Sequence, residues 1–98
     1  MRNCISEKTD RHGYWWRYEH PKSEPAETLD MAIRVAGEVA ADEARKHGKS
    51  YVVASQPNPA RVYVFAEDHP DARALAISVM FTFTPAGECV RHQPATAH

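Results

Sequence analysis

The longest periodic stretch of the chain runs from Pro25 to Gly48, where apolar residues recur every three to four positions. This spacing predicts an amphipathic helix with one apolar face. Pro25 suits the helix start because its missing N–H would be unpaired there, and Gly48 supplies the left-handed residue that often closes a helix. The predicted apolar face consists of Leu29, Ile33, Ala36 and Ala40, flanked by Met31, Val35 and Val39.

Ahead of this helix, residues 14–20 predict a strand. The run Tyr-Trp-Trp-Arg-Tyr-Glu-His is rich in aromatic residues that favour strands, and Pro21 ends it. A shorter edge strand is predicted to begin at Cys4-Ile5. Alternation along residues 14–20 places Tyr14, Trp16 and Tyr18 on one face and Trp15, Arg17 and Glu19 on the other.

After the helix, Ser50–Gln56 and Arg61–Glu67 predict a hairpin. Residues 57–60, Pro-Asn-Pro-Ala, can continue neither helix nor sheet and therefore predict the turn. We group the small and branched residues on one face and expect them to pack on the alanine-rich helix: Val52, Ala54, Val62, Val64 and Ala66. The alternate positions are Tyr51, Val53, Tyr63 and Phe65.

The region from residue 68 to residue 92 is predicted to contain a short helix and two strands. Asp68-His69-Pro70-Asp71 is typical of a helix start and predicts about two helical turns. Ile77–Thr84 fits a helical face and also a strand; its β-branched and aromatic residues favour the strand. Residues 85–87, Pro-Ala-Gly, predict a turn, and Glu88–His92 a short final strand.

These elements predict an α+β fold of two layers, with one long helix packed on a mostly antiparallel sheet. Their order is β-α-β-β-(short α)-β-β. With 98 residues the chain is expected to form a single domain, with residues 1–12 and 93–98 loosely ordered.

One helix cannot cover both faces of such a sheet, so the second face is the part that folding leaves unexplained. Two interpretations remain open. In the first, folding accounts for the face: the last strands, with Phe81 and Phe83, fold over it, or the assignment of the two faces is exchanged. In the second, the face is an interface with a second copy or another protein. The predicted interface residues are Trp15, Arg17, Tyr51, Tyr63 and Phe65.

Composition and charge narrow the choice of partner. The chain is 43% hydrophobic, as a folded globular protein is, and its formal net charge of -1 disfavours a protein whose main role is to grip nucleic acid. An aromatic sheet that bears arginine can stack bases, but neither RNP motif is present. No apolar run has the length of a membrane span, and residues 1–6 lack the apolar core of a signal peptide. We therefore expect a cytoplasmic location and no membrane contact.

The chain carries weak signals for chemistry. Cys89-x-x-His92, with Cys4 and His12, has residue types that zinc accepts if the terminal strands pair, and this set is the alternative to two free thiols. The acidic run around His69 suits a helix start better than a metal site. No glycine-rich phosphate loop or motif around a Cys–His pair exists. We predict no catalytic, cofactor-binding or metal-binding residue.

The order of an aromatic strand, an alanine-rich helix, and then Tyr51-Val52-Val53-Ala54 and Val62-Tyr63-Val64-Phe65-Ala66 resembles small phage-encoded anti-CRISPR proteins. The resemblance covers roughly residues 14–67 and concerns architecture. It implies a non-catalytic inhibitor that blocks a host surveillance complex by direct binding. The alternatives are the zinc or thiol protein described above and a homodimeric bacterial module whose aromatic face pairs with itself.

Overall fold

The computed structural model describes residues 4–57, 60–70 and 78–92. Within them lie one long α-helix and six strands. In chain order they are β1 (Ile5–Asp10), β2 (Gly13–Glu19), α1 (Ala26–His47), β3 (Tyr51–Pro57), β4 (Ala60–Ala66), β5 (Ser78–Phe83) and β6 (Cys89–Arg91).

The six strands form one sheet in the order β1-β2-β4-β3-β5-β6, and every neighbouring pair is antiparallel. Helix α1 packs on one face of this sheet, above the central strands β3 and β4. The α+β class, the two layers and the antiparallel sheet are therefore confirmed. The predicted order is wrong at its start, because two complete strands precede the helix instead of one.

The second strand at the start has a local cause. The edge strand expected to begin at Cys4-Ile5 runs on to Asp10 as β1, and a two-residue turn returns the chain into β2. The short helix predicted after Pro70 falls on residues 71–77, which lie outside the described part of the chain. From Ser78 onward the strand interpretation is confirmed by β5, and the final strand is confirmed as β6.

The buried seam of α1 consists of alanines. Ala32, Ala36, Ala40 and Ala44 have no exposed surface, and they follow one another at intervals of four residues. Alanine side chains are short, so the helix axis can approach the sheet closely. Leu29 and Ile33 flank this seam as half-buried residues. The buried face of α1 is therefore rotated slightly from the predicted one, and Met31, predicted to flank it, is exposed over 54% of its surface.

Both ends of α1 agree with the sequence. Pro25 precedes the first helical residue with an extended backbone, and Gly48 closes the helix in the left-handed conformation at φ 66°. The N–H of Gly48 donates to the carbonyl oxygen of Ala44. Lys46 in the last turn pairs with Asp42 at 3.2 Å, at the four-residue spacing that favours ion pairs along a helix.

The grouping of the β3–β4 hairpin by face is wrong, and the register explains the error. Tyr51 lies opposite Ala66, and Val52 lies opposite Phe65. Residues directly opposite each other in an antiparallel pair share a face. The face under the helix therefore mixes one aromatic with small residues: Tyr51, Val53, Val62, Val64 and Ala66. A shift of one residue in the assumed pairing exchanges the faces of one strand.

The face of the sheet away from the helix contains a second buried cluster. It consists of Val52, Ala54, Tyr63 and Phe65, each exposed over no more than 4% of its surface, with Trp15 packed against it. The centre of this face is therefore core, and accessible side chains lie toward its margins. No helix among the described residues is both long and apolar enough to cross a membrane.

Candidate functional site

The structure divides the five predicted interface residues into two groups. Tyr51 and Phe65 are fully buried and Tyr63 is exposed over only 3% of its surface, so these three are core residues of the monomer. Tyr51 also lies on the helix side of the sheet, apart from the other two. Trp15 and Arg17 remain half-buried. Only these two are placed where a partner can reach them.

Strand β2 places Trp15 and Arg17 together because side chains two residues apart along a strand share a face. Trp16 and Tyr18, at the alternate positions, are buried under the helix. This confirms the predicted alternation of β2. The neighbouring strand then decides what surrounds Trp15, because β1 pairs Lys8 directly opposite it.

Lys8, Trp15 and Arg17 form a cluster of two cations around one ring, which we call the Trp15 cluster. The Lys8 Nζ atom lies 5.2 Å from the centroid of the Trp15 ring, and the Arg17 guanidinium carbon lies 5.5 Å from it. Both distances are within the range of a cation–π interaction. The tryptophan ring thus holds two positive groups at one end of the sheet face.

Arg17 has no acidic partner in the part of the chain that the structure describes. Its Nε atom is buried without a hydrogen-bond acceptor, and no ion pair or side-chain hydrogen bond of its guanidinium occurs among the described residues. Arg61, on the same face, also has a buried Nε atom without an acceptor, but its Nη2 atom lies 3.3 Å from a Glu19 carboxylate oxygen. That hydrogen bond raises the pKa of Arg61 above its ordinary value. Both arginines thus have an unpaired Nε atom, and they differ in that Arg17 has no counter-ion among the described residues.

Lys8 is the member of the cluster that the sequence analysis missed. It lies in residues 1–12, for which no sustained period is visible, and its place follows only from the pairing of β1 with β2. A hairpin signal was nonetheless present in the sequence. Gly13 follows a two-residue turn, and counting back symmetrically from that turn places Lys8 opposite Trp15.

The proposed zinc ligands are not brought together by this fold. Cys4 adjoins β1 and Cys89 begins β6, and these strands form opposite edges of the six-stranded sheet. Five strand spacings separate them, a distance of about 24 Å. His92 instead approaches the Thr82 hydroxyl at 2.7 Å. No group of three potential ligands of a metal ion occurs among residues 4–57, 60–70 and 78–92.

A second polar cluster lies at the β1–β2 turn. His69, which is 3% exposed, places its Nε2 atom 3.2 Å from one carboxylate oxygen of Asp10, and the other oxygen accepts the backbone N–H of His12 at 2.8 Å. The rings of His12 and His69 are 5.0 Å apart. His69 thus ties the end of β4 to the first hairpin. Its partner is 59 residues away in the chain, so the local interpretation as a helix start could not reveal the contact.

Asp10 gives this turn a dependence on pH. The hydrogen bond from the His12 backbone N–H lowers the pKa of Asp10 below its ordinary value of 3.8, and the interaction with His69 acts in the same direction. The folded pKa lies below the unfolded one, so the carboxylate stabilises the fold above the unfolded pKa. This stabilisation is lost as pH falls through the folded pKa.

We therefore expect the Asp10→Asn variant to be less stable than the wild type at pH 6, with a difference that closes as pH falls below about 4. Asparagine can still accept the His12 N–H through its one oxygen, and it removes both the charge and the second oxygen that faces His69. Urea unfolding at several pH values measures the difference. Glu38→Gln, at an exposed helix position, is the matched control and is expected to follow the wild type. A gap for Asp10→Asn that stays constant down to pH 3 would contradict the prediction.

An apolar groove of about 490 Å³ lies on the face of the sheet that carries the helix, between α1 and the β5–β6 edge. Phe81 and Phe83 form its floor beside Gly37, and the thiol of Cys89 opens into it. It exists because α1 lies over the central strands and does not extend to β6. The groove offers shape and apolar surface, whereas the Trp15 cluster offers positive charge that no described acidic residue neutralises.

Comparison with known proteins gave no match. The sequence matches no protein-family profile and no curated protein, and the fold matches no solved structure at a significant level.

Proposed function

We propose that this chain is a non-catalytic protein-binding domain that binds its partner through the Trp15 cluster. The observation that carries the proposal is Arg17, a half-buried cation that stacks on Trp15 and has no counter-ion among the described residues, unlike Arg61. Hydrogen bonds from a charged guanidinium to a carboxylate are roughly twice as strong as those between neutral groups. A partner that supplies an acceptor to the other N–H groups of Arg17 therefore gains energy at this position.

The residue types in the cluster support the same proposal. Tryptophan and arginine are enriched among the few residues that carry most of the energy of protein interfaces. They contribute most where packing already restricts the side chain before binding, because less side-chain entropy is then lost. Trp15 meets this condition because it packs against the buried cluster that contains Tyr63, and Arg17 stacks on Trp15 at the strand position opposite Tyr63.

Within this class we propose more narrowly an inhibitor encoded by a phage or mobile element, which blocks a host CRISPR-type complex by direct binding. The support is the architectural resemblance over residues 14–67, in which an aromatic strand, an alanine-rich helix and a hairpin follow one another. Such an inhibitor would act in the cytoplasm, where its target resides.

The test is affinity purification from a bacterial lysate that contains a CRISPR effector complex, with Trp15→Ala beside the wild type. We expect the wild type to recover a stoichiometric partner and Trp15→Ala to recover at least tenfold less, the loss typical of an interface hot spot. Met31→Ala is the matched control because it removes an exposed apolar side chain from the helix. It should recover the partner as the wild type does.

Each other outcome has a distinct meaning. A Trp15-dependent partner that is not part of the effector complex would retain the binding function and overturn the narrower proposal. Equal recovery by the wild type and Trp15→Ala would remove the Trp15 cluster as the interface. Light scattering that shows a dimer in the wild type and a monomer in Trp15→Ala would replace the proposal with a homodimeric module.

A further inference from the structure

We infer that the Trp15 cluster recognises carboxylate groups of an acidic protein segment. This inference rests on the proposed function and specifies the chemistry of the partner. It follows from the two cations of the cluster and from the contacts that already engage the acidic residues nearby in the sheet.

The two cations are held where one carboxylate-bearing segment can contact both. Lys8 and Arg17 each lie within 5.5 Å of the same ring centroid, so Trp15 limits the directions in which both can extend. The planar guanidinium of arginine matches a carboxylate through two parallel hydrogen bonds, whereas lysine acts as a point charge. Arg17 therefore supplies the directional contact, and Lys8 adds attraction over a wider range of positions.

The acids nearest in the sheet are engaged elsewhere. Alternation places Asp10 and Glu19 on the same face as Trp15. Asp10 is bound by His69 and the His12 backbone, and Glu19 pairs with Arg61. Glu7, the other acid of β1, lies on the opposite face and accepts a hydrogen bond from the Tyr14 hydroxyl. Among the described residues, these acids leave the positive charge of the cluster for a partner to neutralise.

The same observations favour an acidic protein segment over a nucleic acid. A nucleic acid backbone carries closely spaced phosphates and needs a track of cations. Here Asp10 and Glu19 lie on the same face as the two cations, and the chain as a whole has a net charge of -1. A short acidic segment needs to place only one or two carboxylates between these residues.

The inference can be tested by NMR with three probes of defined chemistry: an end-blocked hexaglutamate peptide, a hexaglutamine peptide and a six-nucleotide oligo(dT). The reporters are the indole N–H of Trp15 and the Nε–H of Arg17. The indole of Trp16, which is 3% exposed, serves as an internal control. We expect hexaglutamate alone to shift both reporters in a saturable manner that weakens as salt is raised.

Two variants and one control assign the binding to the cluster. Arg17→Gln and Lys8→Gln should each weaken hexaglutamate binding, by about tenfold for the arginine because it makes the stronger charge-assisted hydrogen bonds. Lys22→Gln removes the same charge from an exposed turn outside the cluster and should change affinity less than twofold. Lys8 is exposed in an edge strand, so its variant stays informative if Arg17→Gln does not fold.

The outcomes separate this inference from the proposed function. Reporter shifts with oligo(dT) that exceed those with hexaglutamate would overturn the inference in favour of nucleic acid. Absence of any shift with hexaglutamate, or equal affinity of Arg17→Gln and Lys22→Gln, would overturn it as well. A lysate partner that depends on Trp15 but is recovered equally by Arg17→Gln would leave the proposed function standing and remove only the carboxylate chemistry.

Discussion

Replacing Phe65 by alanine is expected to lower the free energy of unfolding by about 3–5 kcal/mol, the range for a buried phenylalanine. Phe65 is fully buried on the face away from the helix, where its ring lies 6.5 Å from that of Tyr63 and 6.0 Å from that of His69. Urea unfolding followed by far-UV circular dichroism measures the loss. Since a domain of this size is stable by only about 5–15 kcal/mol, the variant is expected to be marginal.

Two further variants make this result interpretable. Phe65→Leu retains most of the apolar volume and should lose much less stability, about 1–2 kcal/mol, so it reports on the site even if the alanine variant fails to fold. Met31→Ala, on the exposed side of the helix, should change stability by less than about 0.5 kcal/mol. If Phe65→Ala also lowered the free energy of unfolding by less than about 1 kcal/mol, the result would contradict the burial of Phe65 and indicate that the face away from the helix is an open surface.

The fold class was predictable from local signals. The period of residues 25–48, its proline and its glycine locate α1, and alternating aromatic and β-branched residues locate β2 to β4. These signals concern neighbours in the chain. The physical reason for their success is that helix capping and strand alternation are decided within a few residues.

The register between strands was not predictable in the same way. The order of Tyr51, Val52, Phe65 and Ala66 fixes only which residues alternate within a strand. Which face of β3 joins which face of β4 depends on the length of the turn between them. Pairing small residues with small residues was the wrong criterion, because the alanine seam of α1 leaves room for Tyr51 beneath the helix.

The candidate site was predictable in part for the same reason. Trp15 and Arg17 were identified because alternation in one strand separates them from Trp16. The place of Lys8 beside Trp15 and the contact of Asp10 with His69 were missed, since both depend on residues distant in the chain. Three of the predicted interface residues, Tyr51, Tyr63 and Phe65, are buried in the core. The proposed binding surface is therefore limited to the Trp15 cluster at one margin of the sheet.

The burial of these aromatic residues limits which variants can test binding. Tyr63→Ala would remove a side chain that is 3% exposed and whose hydroxyl donates to Gln56 at 3.1 Å. Loss of a partner in that variant would report loss of the fold as much as loss of an interface. Lys8, exposed in the edge strand β1, is the position of the Trp15 cluster at which binding and stability can best be measured separately.

The role of Tyr51 can be tested at Gly13, where we expect alanine to lower the free energy of unfolding by about 2–4 kcal/mol. Gly13 has φ 120°, which side chains rarely adopt, and an added Cβ would lie 2.5 Å from the Tyr51 hydroxyl oxygen. Tyr51 cannot move aside easily, because it is fully buried and its hydroxyl accepts the Tyr14 backbone N–H at 3.2 Å.

A double-mutant cycle separates the two causes. Tyr51→Phe alone should cost about 1 kcal/mol through the lost hydrogen bond, but it also removes the atom that the new Cβ would meet. Gly13→Ala combined with Tyr51→Phe should therefore cost less than the sum of the single changes, by about 1 kcal/mol or more. Gly87→Ala, also at positive φ but in open space, measures backbone strain alone at about 1–2 kcal/mol. Strict additivity at Gly13 and Tyr51, with a Gly13→Ala loss equal to that of Gly87→Ala, would show that the tyrosine does not hold the first hairpin against the sheet.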